Sequence, residues 1–383
     1  MGNGDASDKN PLVSICATFF NAERYIYRFL ESCLNQTYKN IEIVILDDAS
    51  TDNSEKIIRE YAGRDSRIKY YKNETNIRLA ESLLKLFKLA KGDFSTMIGA
   101  DDWLARDYVE NGVRSFLKHP ESAGVIPKVV SLFETRHNVF QYDTETDFPS
   151  RTYSAEWFMK HMYHPIFLYI SGFALVRSSD LVSGEEYHVK NYCRNTSESV
   201  PEELRGFFKR GYGTDSVLFP EILTRYKNFV FDNSMSYIKI THGGNQSFDS
   251  SHNSIYEIFK EAYYFLLIYT LMYKPKWPRF YKGMKIFRGA EVLSTVYIHI
   301  FRCHFRLSFL NISKSRKLIS GFFSDFSFFE IVATVAYSIP MAIHRCFGGM
   351  KRMIIKNNPN DEAPRVFVKE NFLSKEGNFT IAI

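Results

Sequence analysis

The chain has 383 residues, 45% of them hydrophobic and 24% charged. That balance excludes a disordered or collagen-like polymer and leaves room for one large domain, or for a catalytic domain with an appendage. The net charge of +6 is unevenly spread: residues 255–358 hold 16 Lys and Arg against 5 Asp and Glu, so the rest of the chain is net acidic. Such an asymmetry points to two jobs in one polymer.

Met1 to Asn10 is a polar tail with no apolar signal core, from which a cytosolic location is expected. Val13 to Thr18 reads as a buried strand. A helix is expected from about Ala22 to Gln36, since Tyr25, Ile26, Phe29, Leu30, Cys33 and Leu34 recur at helical spacing. Ile41 to Leu46 is a second strand, ending on Asp47-Asp48. Ser50, Thr51 and Asp52 are suitable N-caps for a helix that runs to Ala62 and stops at Gly63. Ile68 to Tyr71 is a third strand. Leu79, Leu83, Leu84, Phe87 and Ala90 are expected to form the inner face of a third helix, closed by Gly92. Phe94 to Ile98 is a fourth strand, followed by Gly99-Ala100-Asp101-Asp102.

Strands alternating with helices of this length predict an α/β fold: a mostly parallel sheet with helices on both faces. Ligands of such sheets sit outside the carboxyl ends of the strands, where Asp47-Asp48 and Asp101-Asp102 both lie. Each pair is either a solvated turn or part of a site, and one crevice shared by both favours a site. Two carboxylates there suit a divalent cation that carries phosphate oxygens. Neither GxGxxG nor GxxxxGK[ST] occurs, so phosphates would be held by metal rather than by a glycine-rich loop. Cys16, Cys33, Cys193, Cys303 and Cys346 are scattered with no CxxC, indicating neither a zinc site nor a disulfide framework.

Several runs carry a resemblance: Val-Ser-Ile-Cys-Ala-Thr-Phe-Phe-Asn-Ala-Glu-Arg-Tyr-Ile, Ser-Cys-Leu-Asn-Gln-Thr-Tyr, Ile-Val-Ile-Leu-Asp-Asp-Ala-Ser-Thr-Asp and Leu-Ala-Lys-Gly-Asp-Phe ahead of Ala-Asp-Asp. In order and spacing, over about residues 11–105, they resemble a family 2 glycosyltransferase of the GT-A fold, of the bacterial envelope and surface-polysaccharide type. The resemblance implies that Asp48 hydrogen-bonds the nucleotide base, that Thr18 assists, and that Phe20 stacks on the base. For Phe20 a core position is the plain alternative, and for Asp48 an N-cap; Asp47 reads as structural. Arg78 stands where relatives often carry Gly, and either pairs with a diphosphate or base or is a solvated helix-start residue. Many relatives read Asp-Ala-Asp-Asp where this chain has Gly99-Ala100-Asp101-Asp102, leaving Asp101 and Asp102 as ligands for Mg²⁺ or Mn²⁺.

Beyond residue 105 the acceptor half is expected to run to about residue 254. Ser154 to Met162 reads as a helix with a serine cap, and Phe167 to Arg177 resembles the strand and turn that floor the acceptor pocket. Residues 183–201 read as an irregular loop shaping acceptor choice. Gly211-Tyr212-Gly213-Thr214-Asp215 precedes a helical run from Ser216 to Tyr226. Relatives place a carboxylate pair here and use the second as general base, which implies that role for Asp215 although Thr214 replaces the first. The plain alternative for Asp215 is a helix cap. His242, ahead of Gly243-Gly244, is a candidate third metal ligand beside a segment able to close over the donor.

Residues 255–358 lie outside the resemblance and read as helices over Tyr256–Tyr273, Arg279–Phe305 and Leu318–Phe347, followed by a tail to residue 383. Their uncharged runs are shorter than the roughly 20 residues needed to cross a bilayer. Aromatic residues interleaved with Lys274, Lys276, Arg279, Lys282, Lys285 and Arg288 suit an anionic membrane surface, giving a peripheral protein on the inner face of the cell membrane. A soluble appendage, or a homo-oligomer formed through these helices, is the alternative; no nucleic-acid module is present.

The expectation is a metal-dependent, inverting glycosyltransferase. It would move a sugar from a nucleotide-sugar donor, a UDP-sugar by default, to a hydroxyl of a glycan or lipid-linked glycan. A sugar nucleotidyltransferase would need a glycine-rich basic loop after the first strand, where Phe19-Phe20-Asn21-Ala22 stands. The rival of another class is an inactive family member that binds glycan or scaffolds an envelope assembly, a reading fed by Gly99 and Thr214.

Overall fold

The structure, a computed structural model, describes residues 10–136, 139–145, 148–161, 172–190 and 214–242, together with a few helical residues between 282 and 293, Phe323, and most of 326–338. The chain divides into two compact units. The first comprises Met1–Glu198, Gly206–Thr241 and Glu362–Ile383; the second comprises Ser199–Arg205 and His242–Asp361.

In the first unit β1 (Val13–Phe19), α1 (Ile26–Leu34), β2 (Ile41–Asp47), α2 (Ser54–Ala62), β3 (Ile68–Lys72), α3 (Leu79–Leu89) and β4 (Phe94–Met97) alternate. They are followed by β5 (Trp103–Leu104), α4 (Tyr108–Lys118), β6 (Gly124–Arg136), β7 (Val139–Glu145), β8 (Arg151–Ser154) and α5 (Ala155–His161). β9 (Leu175–Arg177), α6 (Ser178–His188), α7 (Thr214–Leu223) and β10 (Asn228–Thr241) complete the described part. Along the main sheet the strand order is β3-β2-β1-β4-β9-β6-β10-β5, with β7 on β6 and β8 on β10. β3, β2, β1 and β4 are mutually parallel, as are β6 and β10, while β9 runs antiparallel to both β4 and β6.

This order explains where the helices go. Steps from β1 to β2 and from β2 to β3 move the same way, so right-handed crossovers put α1 and α2 on one face. The return from β3 to β4, on the far side of β1, puts α3 on the other face. The chain thus reverses between β1 and β4, the position at whose carboxyl ends such sheets bind their ligands. β1 and β2 are buried almost throughout, including Ile15, Ala17, Ile43 and Ile45, as strands covered on both faces must be.

Several element boundaries differ from expectation, each for a local reason. α1 begins at Ile26 because Ala22–Tyr25 is spent in a turn closed by the Tyr25 amide on the Ala22 carbonyl at 2.8 Å. It ends at Leu34, and Gln36 is instead a buried bracket bonded to the Ser32 and Ala105 carbonyls and the Val109 amide. α3 stops at Leu89; Gly92 serves close packing, since a Cβ there would lie 2.6 Å from Ser14 Oγ and 2.7 Å from the Ser14 nitrogen. Leu79 is exposed, and Ala80, Leu83, Leu86 and Phe87 form the inner face.

Residues 183–188, expected in a loop, belong to α6, where Gly184 lets the helix approach Leu218 of α7. α7 begins two residues before the expected run and ends at Leu223. The expected serine cap of α5 is present: Ser154 Oγ accepts the Trp157 amide at 3.0 Å. Of the strand expected over Phe167–Arg177, Leu175–Arg177 is β9, and residues 167–171 lie outside the described residues, as do Gly243–Ser254.

In the second unit residues 328–336 are helical. The continuous helix expected over Leu318–Phe347 is interrupted at Phe326-Ser327. There the Ser327 amide donates to Glu330 Oε2 at 2.7 Å and the Glu330 amide to Ser327 Oγ at 3.4 Å, a reciprocal capping box. The other helices expected after Ile255 lie almost wholly outside the described residues.

Candidate functional site

Three loops meet at the carboxyl ends of β1, β2 and β3. The β1–α1 and β2–α2 loops are laced to each other: the Asn21, Ala22 and Glu23 amides donate to Ser50 Oγ, Ser54 Oγ and Asp52 Oδ2 at 2.8, 2.9 and 3.0 Å. In return the Thr51 amide donates to Asn21 Oδ1 and the Asn53 amide to Glu23 Oε2. Ser50 and Thr51 are therefore occupied between loops, while Asp52 does both: its Oδ2 takes the Glu23 amide and its Oδ1 accepts the Ser54 amide at 3.0 Å, at the first residue of α2. One residue in each of these loops adopts left-handed backbone, Asn21 at φ 55° and Ala49 at φ 66°.

Asp47 is structural, as expected. It is fully buried, and its carboxylate accepts the Ser50 amide at 2.7 Å and the Tyr70 hydroxyl at 2.9 Å. Asp48 fixes the loop before α3: Oδ1 accepts Asn73 Nδ2 and the Ile77 amide, each at 2.9 Å, and Oδ2 accepts the Arg78 amide at 3.1 Å. A carboxylate has about four acceptor positions. Among the described residues three are filled, which leaves one on Oδ2.

Arg78 is held at φ 77°, ψ 163°, a region that in practice belongs to glycine. Its side chain is exposed and its guanidinium has no hydrogen-bond or ion-pair partner among the described residues. Thr18 lies at the end of β1, where its hydroxyl donates to the Leu46 carbonyl at 2.9 Å; its lone pairs are what it can offer a ligand. Phe20, 50% exposed, is a surface ring rather than a core one.

Across β1 from Asp48, at about 10 Å by strand spacing, lies the turn after β4. A Cβ built on Gly99 would sit 2.7 Å from Asp102 Oδ2 and 2.9 Å from Asp101 Oδ1. Gly99 thus leaves a small space on which both carboxylates converge. β5 pairs with β10 and brings Asp102 against that strand, where Oδ2 accepts the Tyr237 hydroxyl at 2.6 Å and Oδ1 the Ile240 amide at 2.7 Å. The Tyr237 oxygen in turn accepts the Gly99 amide at 3.1 Å, and the Tyr237 ring stacks on Phe173 at 3.8 Å. Burial, with the Asp101 charge beside it, holds the Asp102 carboxyl well above the usual carboxylate range. Burial likewise raises the Tyr25 hydroxyl; the Arg24 charge opposes this, and the Glu134 and Asp101 charges add to it.

Among the described residues no group of three or more His, Cys, Asp and Glu could hold a metal ion by itself. The two convergent oxygens at Gly99 do fit a hard cation of the kind that keeps waters and takes substrate phosphates as its remaining ligands. Asp215 is the second residue of α7; its side chain lies outside the described residues. His242 follows β10 directly, is buried, and belongs to the second unit. Of the expected residues, Thr18, Phe20, Asp48, Arg78, Asp101 and Asp102 lie at the carboxyl ends of β1 to β4 or in the segments that follow them. Tyr237 and Asn73, which orient the two key carboxylates, were not marked by sequence: nothing in a strand or a turn distinguishes a hydroxyl or amide aimed at a distant Asp.

A mixed sheet reversing between β1 and β4, with carboxylates at the reversal, is the GT-A fold. Comparison with solved structures agrees on the fold: S. aureus TarS residues 1–349 in complex with UDP-GlcNAc superposes with a TM-score of 0.50 at 17% identity, over 85% of this chain and 79% of that one. A second TarS structure gives 0.51 at 16% identity, over 88% and 53%. Residues 14–181 match the family described as Glycosyl transferase family 2. An uncharacterized glycosyltransferase of Haemophilus influenzae is 38% identical over 109 residues, 28% of this chain and 44% of that protein. The putative glycosyltransferase EpsE of Bacillus subtilis is 39% identical over 113 residues, 29% and 41%. The match thus spans less than half the length of these curated relatives.

Proposed function

We propose that the protein transfers a sugar from a nucleotide-sugar donor, a UDP-sugar in the first instance, to a hydroxyl of a glycan or lipid-linked glycan, with inversion at the anomeric carbon. The observation that carries the reading is the pairing, across β1, of a carboxylate with one free acceptor position and a two-carboxylate cradle, both at the β1/β4 reversal. In this reading the free position on Asp48 Oδ2 takes an N–H of the base, Phe20 covers the base, and Thr18 contacts it from β1. Arg78 swings its guanidinium onto the diphosphate, which its unpartnered charge suits. Asp101 and Asp102 would hold Mg²⁺ or Mn²⁺, with Tyr237 and the Ile240 amide fixing Asp102. When bound, such an ion offsets the charge on the departing nucleoside diphosphate.

Asp215 takes the proton from the acceptor hydroxyl. The resulting oxygen nucleophile forms the new bond to the anomeric carbon from the face opposite the nucleoside diphosphate, which leaves with the old bond's electrons. Gly99 does not argue for an inactive protein, because a side chain at that position would displace the two carboxylates that the reading uses.

The test is release of nucleoside diphosphate from a panel of UDP-, GDP- and dTDP-sugars with Mn²⁺, Mg²⁺ or EDTA. Metal-dependent release from at least one donor, retained binding but lost transfer in Asp215→Asn, and loss of donor binding in Asp101→Asn are expected. Release from no donor under any condition would return the protein to the role of binding or scaffolding module.

A further inference from the structure

The helix at residues 328–336 is built inside out. Phe328 and Phe329 are 74% and 79% exposed, and Ile331, Val332 and Val335 are exposed with them. Phe328, Ile331, Val332 and Val335 follow the i, i+3, i+4, i+7 spacing of one stripe. The opposite stripe, Glu330, Thr334 and Ser338, is polar and buried.

That polar stripe is satisfied within the second unit. Glu330 Oε2 pairs with the buried Lys285 Nζ at 2.9 Å, Thr334 Oγ1 donates to the Glu330 carbonyl at 2.7 Å, and Ser338 Oγ donates to the Val335 carbonyl at 2.7 Å. Gly289, one turn beyond Lys285, comes so close that a Cβ would meet Thr334 Cγ2 at 2.7 Å. The two segments therefore meet through small and polar residues, 285 opposite 330 and 289 opposite 334.

In water this arrangement is the wrong way round, because the hydrophobic effect drives phenylalanine inward and leaves charge outside. Against lipid it is the favourable one: apolar side chains face hydrocarbon, while polar and charged groups pair inside and small residues allow close helix approach. No helix among the described residues is long and apolar enough to cross a membrane. Residues 255–358 carry 16 Lys and Arg against 5 acidic residues, the charge that an anionic headgroup layer attracts.

We infer that the Phe328–Val335 face is a membrane-docking surface, lying in the interface of an anionic bilayer with its two phenylalanines in the acyl boundary. This inference does not depend on the sugar-transfer reading, and its failure would leave donor hydrolysis in solution untouched.

The test uses the full chain with vesicles of phosphatidylcholine alone and of phosphatidylcholine with phosphatidylglycerol. Co-sedimentation with the anionic vesicles is expected, and roughly tenfold or more weaker binding in the Phe328→Glu/Phe329→Glu double variant. Circular dichroism of that variant serves as the folding control. In Phe328→Trp, anionic vesicles should shift the added indole emission to the blue and brominated lipid should quench it. The inference is overturned if the wild-type chain does not sediment with anionic vesicles, or if the added emission of the Phe328→Trp variant ignores them. It is equally overturned if the double variant alters only the oligomeric state in sedimentation velocity, which would make a second copy of the chain the occupant of this face.

Discussion

Among single residues Arg78 combines two costs: a backbone conformation that disfavours any side chain, by about 1–3 kcal/mol, and an exposed guanidinium with no described partner. Arg78→Gly is therefore expected to raise stability by about 1 kcal/mol while weakening nucleoside-diphosphate binding roughly tenfold or more. Thermal melting and calorimetric titration read the two effects separately, and unchanged affinity would make Arg78 a solvated residue. Asp48→Asn puts an amide where at least one backbone N–H must be accepted. A loss of about 1–3 kcal/mol and disappearance of the donor-induced rise in melting temperature are expected. Gly99→Asp, which writes the common family motif back into the chain, should lower rather than raise activity, because its Cβ would collide with the carboxylates of Asp101 and Asp102. Higher turnover in that variant would refute the role given to Gly99.

Elements were legible where their cause is local. The first four strands and three helices follow from periodic burial of residues such as Ile15, Phe29, Ile43 and Leu83, and a sequence displays periodicity directly. Boundaries decided by partners far along the chain were not legible. Ser50 looks like a cap until the β1–α1 loop arrives to take its hydrogen bond, and Gly92 looks like a helix stop until Ser14 is beside it. α6 was missed because its polar surface gives no helical stripe. Inside it Glu185 is fully buried, and neither carboxylate oxygen has a hydrogen-bond partner among the described residues.

Burial, and next the nearby Glu81 charge, hold the Glu185 carboxyl well above its ordinary value. The folded protein thus keeps a proton that the unfolded chain releases near pH 4.5, so this group costs stability progressively as pH rises above that point. Glu185→Met is expected to stabilise the protein by about 1–3 kcal/mol at pH 8 and by much less at pH 4. Equal melting shifts at both values would show that burial of Glu185 is relieved in solution.

For the whole molecule the charge division read from composition is the coarse sign of two compact units. Removal of metal should abolish nucleoside-diphosphate release, and vesicle sedimentation should survive it, since the proposed docking face shares no residue with the donor crevice. A chelator that abolished both activities would join what the charge pattern separates. The strand-end placement of Asp48, Asp101 and Asp102 was readable because parallel topology fixes it. The later elements were not, because β9 inserts between β4 and β6, and β10 between β6 and β5, so their contacts depend on chain closure rather than on local pattern.

The bonds from the Ile77 and Arg78 amides to Asp48 carry one more consequence. These two protons sit beside the vacant acceptor position on that carboxylate, on a loop that Asn73 also ties to it by side chain. Occupancy of the crevice should slow their exchange with deuterium, while the interior of β2 is unaffected. Two backbone positions would then act as a built-in gauge of donor loading, readable by mass spectrometry before any acceptor has been identified.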